Sequence, residues 1–388
     1  MAPRPVIADT VVRAVRPRLL IIGPLPPPYI GPAIATRRLL DSDVIAKHFE
    51  VDFVNTGDPE GFDQIGQLGL HNIWMAIRHG AECFSVLFRR RPHAIYVPIA
   101  RGMWGFIRDL LFLFPARLFG ARVIVHLRAG RFDLIHDNGW LGRTIARIGL
   151  SVVDRALVLG STVRHVYGGA IAQDRVDVVP NGMQLDGWNA SEWALQRAST
   201  DDVRIAYIAN LFHGKGIHVM LDAMVLLKKI APEVSVTFAG DWGNPQYRDE
   251  CLDHVERHGL ADRVSFVGRI DDEGKRALLA RSHIAAFVPV KPEGLPWVVL
   301  EAMSSALPVI GTAQGTIPEL VIEGANGFIV PVGDAEALAK RIAELVADAD
   351  KRQQMGAKGR ERVEQIFAEE KTHGRLAAIV LECIDGRR

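Results

Sequence analysis

Cysteine is scarce in this sequence, and its spacing carries no motif. Of 388 residues only three are cysteine, and Cys83, Cys251 and Cys383 stand far apart without a C-x-x-C pair or the Cys/His spacing of a zinc site. This argues against a disulfide framework and a structural zinc module, and it favours a reducing compartment. The first residues mix Pro, Arg and Asp without an apolar stretch, so they predict no signal peptide, and we expect a cytoplasmic protein.

Long apolar runs and dinucleotide fingerprints are missing as well. The most apolar stretch, residues 103–119, is interrupted by Arg108, Asp109, Pro115 and Arg117, and it falls short of the ~20 apolar residues that a membrane span needs. No G-x-G-x-x-G follows the first predicted strand, and no G-x-x-x-x-G-K-[ST] phosphate loop is present. These absences count against an NAD-dependent oxidoreductase, the first alternative function.

Short apolar runs alternate with helical patterns along the chain, which is typical of parallel sheets covered by helices. The length suits two domains, and the turn Pro180-Asn181-Gly182, followed by a polar stretch over 186–202, marks their boundary. We predict an α/β fold of two doubly wound, Rossmann-like domains that face a central cleft. The predicted parts are a flexible tail (1–17), a first domain (18–185), a second domain (186–370) and a carboxy-terminal helix (371–388) that packs back on the first domain.

Charge is distributed unevenly, although the net charge is only +1. Residues 1–180 carry 22 Lys and Arg against 15 Asp and Glu, a net of +7, and the remainder carries 24 against 30, a net of −6. In the basic half, aromatic residues interleave with arginines: Arg89-Arg90-Arg91, Arg101, Trp104, Phe106, Arg108, Phe112, Phe114, Arg117 and Arg122. Two interpretations stay open, a buried helix with solvated arginine flanks or a patch that rests on anionic lipid headgroups. No nucleic-acid-binding motif accompanies the charge.

The most informative segment runs from Glu293 to Glu301 and reads EGLPWVVLE. An apolar strand is predicted before it and an apolar helix within it. Glu293 is therefore expected at the carboxyl edge of a sheet, and Glu301 about two turns into the next helix. The free amides of residues 295–298 at the helix start form a ready site for a diphosphate. Two carboxylates for sugar hydroxyls beside a phosphate cradle suit a nucleotide sugar.

Other loops of the second half follow predicted strands. Lys215 stands between two glycines at a strand-to-helix turn, where its ammonium can point at phosphate, although a surface lysine would fit the same pattern. Gly240 ends one further strand and Gly268-Arg269 ends another. A nucleoside base can lie against the backbone at such positions.

One family combines these motifs in this order and spacing: Lys215-Gly216, Gly240, Phe266-Val267-Gly268, Glu293 to Glu301, Pro308-Val309-Ile310 and Glu319-Leu320-Val321. The chain resembles a retaining glycosyltransferase of the GT4 group (glycosyltransferase group 1), which has the two-domain GT-B fold. The resemblance covers nearly the whole second half and, more loosely, the first.

The resemblance implies roles for the residues of the segment. Glu301 is expected to accept hydrogen bonds from the ribose of a nucleoside-diphosphate sugar, and Glu293 to contact the donor sugar near the reacting carbon. Lys215 and the amides around Trp297 are expected to hold the diphosphate and to stabilise its growing charge. The residues of that cradle are Gly294, Leu295, Pro296, Trp297 and Val298.

Further roles and departures concern single residues. In the first half the resemblance assigns His126 to the donor sugar, Arg128 to phosphate and Gly31 to the close approach of diphosphate and acceptor. Asn210 is a departure, because many relatives carry a phosphate-binding Arg there, so Lys215 or an Arg from across the cleft must supply the charge. Ala306 stands where Gly is common.

The resemblance implies a reaction without a cofactor. The leaving diphosphate helps to remove the acceptor proton, the anomeric configuration is retained, and no metal is expected; the D-x-D of Asp348-Ala349-Asp350 is interpreted as surface, since no strand precedes it. The expected partners are the nucleotide sugar and a sugar or lipid-linked acceptor of polysaccharide, lipopolysaccharide or glycolipid assembly. The basic aromatic stretch of the first half, and not the resemblance, favours a membrane-proximal acceptor and peripheral contact to an anionic membrane. A non-catalytic scaffold derived from a transferase is the second alternative, which Asn210 leaves open. Base, sugar and acceptor are not identified by the sequence.

Overall fold

The computed structural model describes residues 16–27, 29–57, 69–198 and 202–386. Most of the predicted amino-terminal tail (1–17) lies outside the described residues, as do Pro28 of the proline-rich loop and residues 199–201 of the predicted polar linker.

Each half of the chain contains a six-stranded parallel sheet. The first sheet comprises β1 (Arg18–Gly23), β2 (Glu50–Asn55), β3 (Ala94–Ile99), β4 (Arg122–Leu127), β5 (Arg155–Val158) and β6 (Val176–Val178), in the order β2-β1-β3-β4-β5-β6. The second comprises β7 (Arg204–Ile208), β8 (Ser235–Ala239), β9 (Val264–Phe266), β10 (Ile284–Phe287), β11 (Val309–Thr312) and β12 (Gly327–Val330), in the order β12-β11-β10-β7-β8-β9. Many of these strands are continuous apolar runs because helices cover both faces of each sheet.

The helices connect successive strands. They are α1 (Gly31–Leu40), α2 (Asp43–His48), α3 (Leu70–Arg90), α4 (Met103–Leu118), α5 (Asp133–Asp137), α6 (Gly139–Leu150), α7 (Ala190–Ala198), α8 (Ile217–Ile230), α9 (Pro245–Arg257), α10 (Asp272–Arg281), α11 (Trp297–Ser304), α12 (Ile317–Leu320), α13 (Ala335–Ala347), α14 (Ala349–Arg362) and α15 (Glu369–Asp385). Short 3₁₀ turns occupy Ser161–Tyr167, Gln173–Arg175 and His213–Lys215. The predicted α/β fold with two doubly wound sheets is confirmed.

Two segments differ from their sequence-based descriptions. The stretch predicted as a polar boundary contains a helix, α7, whose Arg197 donates hydrogen bonds to the carbonyls of Ser305 (3.0 Å) and Ala306 (3.3 Å), so α7 packs on the second domain. The sequence predicts a long helical carboxy terminus from Ala335 to about Ile384, and the structure divides it into three helices, α13, α14 and α15. Asp348 interrupts it as the cap of α14 and accepts a hydrogen bond from the Lys351 amide at 2.8 Å. The D-x-D motif therefore begins with a helix cap.

The last helix returns to the first domain. Leu376 and Val380 of α15 are buried in a cluster with Leu19 and Ile21 of β1. The chain passes between the two domains twice, once near Met183 and once before α15. These two crossings lie side by side, because the Met183 amide donates to the Phe367 carbonyl at 2.6 Å and the Glu369 amide donates to the Met183 carbonyl at 3.0 Å.

The helices of the first domain form a layer on each face of its sheet. Buried residues of α3, α4 and α6 share one core cluster, while α1, α2 and α15 contribute to the other. Phe106 and Phe112 of α4 lie in the core, so only Trp104 and Phe114 remain as exposed aromatics of the run considered in the sequence. Among the described residues, no helix combines the length and apolar character required to cross a membrane.

Candidate functional site: a cleft between the two domains

A cleft of about 1280 Å³ lies between the two domains. It is lined by loops that follow the carboxyl ends of strands in both sheets, the usual ligand position in open α/β folds. The structure brings these sequence-predicted residues to it: Gly31, Arg128, Asn210, Lys215, Gly240, Arg269, Glu293, Gly294, Leu295, Pro296, Trp297, Val298 and Glu301. His126 and Gly268 do not line it.

The segment from Glu293 to Glu301 forms one wall of the cleft. Pro296 occupies the cap position of α11, which begins at Trp297, so the amides of Trp297 and Val298 belong to the first turn and have no intrahelical acceptor. Glu301 is the fifth residue of this helix and lies just over one turn along it, nearer its start than the two turns expected. The positive end of α11 thus faces the same cleft as both glutamates.

Glu301 pairs with a lysine that sequence reasoning missed. Its side chain is only 5% exposed, and its Oε1 lies 2.8 Å from Nζ of Lys275 on α10. Burial alone would lower the pKa of Lys275, but the Glu301 carboxylate outweighs it and the pKa is raised. One signal was available: a lysine in the first turn of a helix opposes the helix dipole unless a carboxylate faces it.

The second oxygen of Glu301 is uncommitted. Its Oε2 is buried and has no hydrogen-bond partner within the described part of the chain. A buried carboxylate oxygen without a donor is costly, and this one belongs to a residue that lines the cleft. The site therefore offers an acceptor for a donor group of a ligand.

Glu293 forms the other carboxylate of the wall and pairs with Lys215. The ammonium of Lys215 lies 2.5 Å from Oε1 of Glu293, and both side chains are largely buried. Lys215 ends a 3₁₀ turn after β7, and its backbone carbonyl accepts a hydrogen bond from the buried Tyr207 hydroxyl. The lysine is consequently a fixed part of the site.

Two glycines lie against the backbone of Glu293, at a distance that leaves no room for a side chain. A Cβ at Gly130 of the first domain, or at Gly315 of the second, would overlap the Glu293 carbonyl. Gly315 also has φ +57°, which disfavours other residues. The position of this glutamate thus depends on close backbone approach from both domains.

Arg128 reaches the cleft, whereas His126 stands behind it. The His126 ring is fully buried, and its Nδ1 lies 2.8 Å from the hydroxyl of Tyr96. Burial, together with the nearby Arg128 charge, holds the pKa of His126 well below its ordinary value, so the ring is neutral. His126 thus lies behind the residues that line the cleft, and its expected contact with the donor sugar stays a prediction.

Arg128 is held by a network that crosses the cleft. It donates to the Tyr96 hydroxyl at 2.9 Å and to Oδ1 of Asn181 at 2.7 Å. Asn181 in turn donates to the Leu295 carbonyl at 2.7 Å. These hydrogen bonds link the Arg128 guanidinium, through Asn181, to Leu295, the residue before the α11 cap.

Two further arginines stack across the domain boundary. Arg38 of α1 lies over the Trp297 ring at 4.3 Å, and Arg269 lies over the Tyr29 ring at 4.8 Å. Neither pairing was foreseen, since the partners are more than two hundred residues apart in sequence. Such contacts are worth about 0.5–2 kcal/mol each, depending on exposure.

The remaining predicted positions lie around the end of β8. Gly240 has φ +146°, and a Cβ there would overlap the Ala209 carbonyl, so glycine is required by the fold itself. The Gly240 amide donates to the Gly268 carbonyl at 2.8 Å, which places Gly268 behind the wall. Asn210 is exposed and lines the cleft.

Glu319 of α12 joins the domains beside the cleft. Its carboxylate accepts hydrogen bonds from the amides of Ser161 (2.9 Å) and Thr162 (2.7 Å) and from the Thr162 hydroxyl (2.6 Å). These donors form the start of the 3₁₀ turn after β5. The carboxylate thus caps an element of the opposite domain.

Comparisons with known proteins agree with this architecture. The chain is 26% identical over 238 residues to a glycogen synthase of Mycobacterium tuberculosis, covering 61% of this chain and 55% of that protein. It is 30% identical over 181 residues to a putative colanic acid biosynthesis glycosyltransferase of Salmonella typhimurium, covering 45% of this chain and 43% of that protein. The chain thus spans about half the length of these curated relatives.

A solved structure covers nearly the whole chain. The Anabaena protein HepE, in complex with UDP and glucose, superimposes with a TM-score of 0.72 at 18% sequence identity, over 94% of this chain and 99% of that one. Residues 193–362 match the family model described as glycosyl transferases group 1. The fold is GT-B, as the resemblance implied, and the family match covers most of the second domain.

Proposed function

We propose that this protein transfers a sugar from a nucleoside-diphosphate sugar to a hydroxyl acceptor, with retention at the anomeric carbon. The observation that carries the proposal is the state of Glu301, a buried carboxylate on the cleft wall with one oxygen on Lys275 and the other unpaired among the residues that the structure describes. Ribose hydroxyls are donors that would complete its hydrogen bonding. Since a buried unpaired oxygen costs about 1–3 kcal/mol, ligand binding would recover that cost.

The diphosphate is proposed to lie between Glu301 and Glu293, against the start of α11. Two free amides and the helix dipole face this position, and Lys215 borders it. Arg128 and Arg269 also line the cleft and can supply the charge that Asn210 does not. Their positive charge would stabilise the diphosphate as it leaves.

Glu293 is proposed to bind donor-sugar hydroxyls and not to attack carbon. Its carboxylate is engaged by Lys215 at 2.5 Å, which reduces its nucleophilicity. The proton of the acceptor hydroxyl passes to the leaving diphosphate while the new bond forms on the same face of the sugar. Lys215 and the α11 amides supply the positive potential, so the proposed reaction needs no metal.

The proposed acceptor is a sugar or a lipid-linked sugar of a cell-surface polysaccharide, lipopolysaccharide or glycolipid. It would enter on the first-domain side, beside Gly31 and Arg128. The similarity to a colanic acid biosynthesis glycosyltransferase supports a polysaccharide product. We place the reaction on the cytoplasmic side of the membrane, as predicted from the sequence.

A thermal-shift screen tests the donor site. UDP, GDP, ADP and their common sugar conjugates are added to wild type, Glu301→Ala and Glu336→Ala, the last an exposed control on α13. Each shift is measured against the same variant without nucleotide. A selective rise that Glu301→Ala abolishes and Glu336→Ala retains is expected, because a ligand of the native state stabilises it. UDP conjugates are tested first, since the Anabaena neighbour holds UDP.

Transfer assays test the rest of the proposal. NMR of the product should show the anomeric configuration of the donor, and activity should survive EDTA. An inverted product would overturn retention, and loss of activity restored by a divalent cation would overturn metal independence. If no nucleotide raises the melting temperature, the donor site is wrong and a scaffold role takes its place.

A further inference from the structure

The outer surface of the first domain carries many exposed apolar side chains. We call the outward side of α3, α4 and α6 the α3–α4–α6 face. Its exposed large apolar residues are Leu70, Ile73, Trp74, Ile77, Phe84 and Phe88 on α3, Trp104, Leu111, Phe114 and Leu118 on α4, and Trp140, Leu141 and Ile148 on α6. Exposed patches of this extent on soluble proteins mark interaction surfaces.

On α3 the exposed residues form a stripe at helical spacing. Leu70, Trp74, Ile77, Phe84 and Phe88 recur at steps that return to one side of the helix. The opposite side is buried in the core through His79, Cys83 and Leu87. Ile77 is 62% exposed although the helix already has a core face. The helix therefore has a second apolar side that the fold does not use.

The charges of this face are almost all positive. Seven arginines lie on the three helices: Arg78, Arg89, Arg90, Arg108, Arg117, Arg143 and Arg147. The acids on these helices are Glu82 and the buried Asp109, which pairs with Arg108 at 2.8 Å. Neighbouring elements pair two more arginines, Arg90 with Glu50 (2.6 Å) and Asp52 (3.0 Å), and Arg117 with Asp154 (3.3 Å). Outside these ion pairs of the described residues, the face keeps the positive charges of Arg78, Arg89, Arg143 and Arg147. A second copy of the same face would bring these arginines together, so self-association is disfavoured and an anionic partner is favoured.

Three tryptophans lie near the amino-terminal ends of these helices. Trp74 is the fifth residue of α3, and Trp104 and Trp140 are the second residues of α4 and α6. Each of these helices lies in the connection between two successive parallel strands, and α4 follows β3 directly, so we expect their starts near the carboxyl edge of the sheet, the edge that borders the cleft. Tryptophan combines an apolar ring with a polar N–H, which suits the membrane–water interface.

We propose that the α3–α4–α6 face docks this protein on an anionic lipid bilayer. The apolar side chains enter the headgroup region, the arginines contact lipid phosphates, and the tryptophan edge places the cleft next to the lipid surface. That this arrangement delivers a lipid-linked acceptor rests on the proposed function, whereas the docking itself does not.

Vesicle co-sedimentation tests the apolar contact. Wild-type protein should bind to vesicles of phosphatidylcholine that contain about one third phosphatidylglycerol, and it should bind much less to vesicles of phosphatidylcholine alone. Trp74→Ser/Trp140→Ser should lower the partition coefficient at least about tenfold. The matched control, Leu195→Ser/Ile230→Ser, changes two exposed apolar residues of the second domain and should bind like wild type. Equal losses in both variants would overturn the proposal.

Charge reversal tests the ionic contact. Arg143→Glu/Arg147→Glu should weaken binding at least about twentyfold, since each arginine near an anionic surface is worth roughly a factor of five. Lys229→Glu/Lys340→Glu, at exposed positions of the second domain, is the control. Wild-type binding should fall as salt rises. Wild-type protein that stays in the supernatant at low salt would overturn the proposal.

Two measurements separate this inference from its rivals. The nucleotide-induced rise in melting temperature should be the same in Trp74→Ser/Trp140→Ser and wild type, so loss of docking and loss of the donor site are distinguishable. Sedimentation velocity without lipid should show the same mass for both proteins. A wild-type dimer that this variant dissociates would assign the face to a second copy and overturn the membrane assignment.

Discussion

Lys275 and Glu301 form a buried ion pair that joins α10 to α11, with Nζ 2.8 Å from Oε1. The pair orients the carboxylate proposed to bind ribose, and the other oxygen has no hydrogen-bond partner in the described ranges of the chain. Lys275 is therefore a positioning residue for the donor site, although Asp272, 3.3 Å away, shares its charge.

Removing either partner of the Lys275–Glu301 pair should destabilise the protein. Lys275→Met leaves the Glu301 carboxylate buried without its cation, and the free energy of unfolding should fall by about 3 kcal/mol. Glu301→Gln combined with Lys275→Met should cost less than the sum of the single changes, because no lone charge remains. Urea unfolding of the four proteins measures the coupling, with Lys340→Met as the exposed control. Additive single effects would contradict the pairing.

Glu319 should make stability depend on acid pH. Burial alone would raise its pKa, but the hydrogen bonds from Thr162 and Ser161 outweigh it, and the pKa is held below the ordinary value of 4.5. The stabilisation that the Glu319 carboxylate gives the folded protein is consequently complete above about pH 4.5. It is lost as the pH falls through the lower pKa that Glu319 has in the folded state. Urea unfolding of wild type and Glu319→Gln from about pH 6 to about pH 3 should give a stability difference that shrinks with acid. A difference that grows with acid would contradict this.

Replacing Ala306 by glycine should stabilise the folded protein. Its φ is +52°, in the left-handed region where an L-residue costs about 1–2 kcal/mol. Ala306→Gly removes that strain but adds unfolded-state entropy, so a net gain of up to about 1 kcal/mol is expected. The matched control is Ala357→Gly, at an exposed α14 position, which should lose about 1 kcal/mol. Thermal unfolding compares the two, and a loss at both positions would refute the strain.

Gly31 should be replaceable for folding but not for function. A Cβ there would meet none of the described residues within 4 Å, so Gly31→Ala should leave the melting temperature within about 1 °C of wild type. If donor or acceptor approaches this backbone, kcat/KM should fall at least about tenfold. Gly102→Ala also meets nothing within 4 Å, lies outside the cleft lining and should keep full activity. Unchanged kcat/KM in Gly31→Ala would remove this residue from the site.

Asn210 should respond to added charge. Asn210→Arg supplies a guanidinium at an exposed position of the cleft lining, and the affinity for UDP should rise about fivefold at low salt. The gain should shrink as salt rises, since exposed charges are screened. Gln353→Arg, on the exposed side of α14, adds the same charge elsewhere and should change nothing. Isothermal titration measures both; equal affinities in the two variants would show that no phosphate lies near residue 210.

The fold and the main wall of the cleft could be predicted because their signals are local. Apolar strands, glycine turns and the spacing of Glu293 and Glu301 each depend on a few neighbouring residues. Ala306 is one example. The resemblance marks its position as one where glycine is common, and the backbone there is left-handed, the conformation that glycine adopts most easily.

Contacts that join distant segments could not be predicted. Lys275, Arg38 over Trp297 and Glu319 with Thr162 depend on how two domains meet, and no short-range pattern records that. The position of His126 behind the cleft lining could not be predicted for a related reason. A strand-end histidine can point to the cleft or into the core, and only the packing against Tyr96 decides.

The paired crossings at Met183 and Glu369 have a mechanical consequence. Backbone hydrogen bonds tie both connections together at one place, so the domains cannot separate by sliding without breaking that ladder. We expect relative motion to be a rotation about this hinge, with distances between spin labels changing at the cleft rim and staying constant near Met183. Product would then leave through a gap whose width grows with its distance from the hinge.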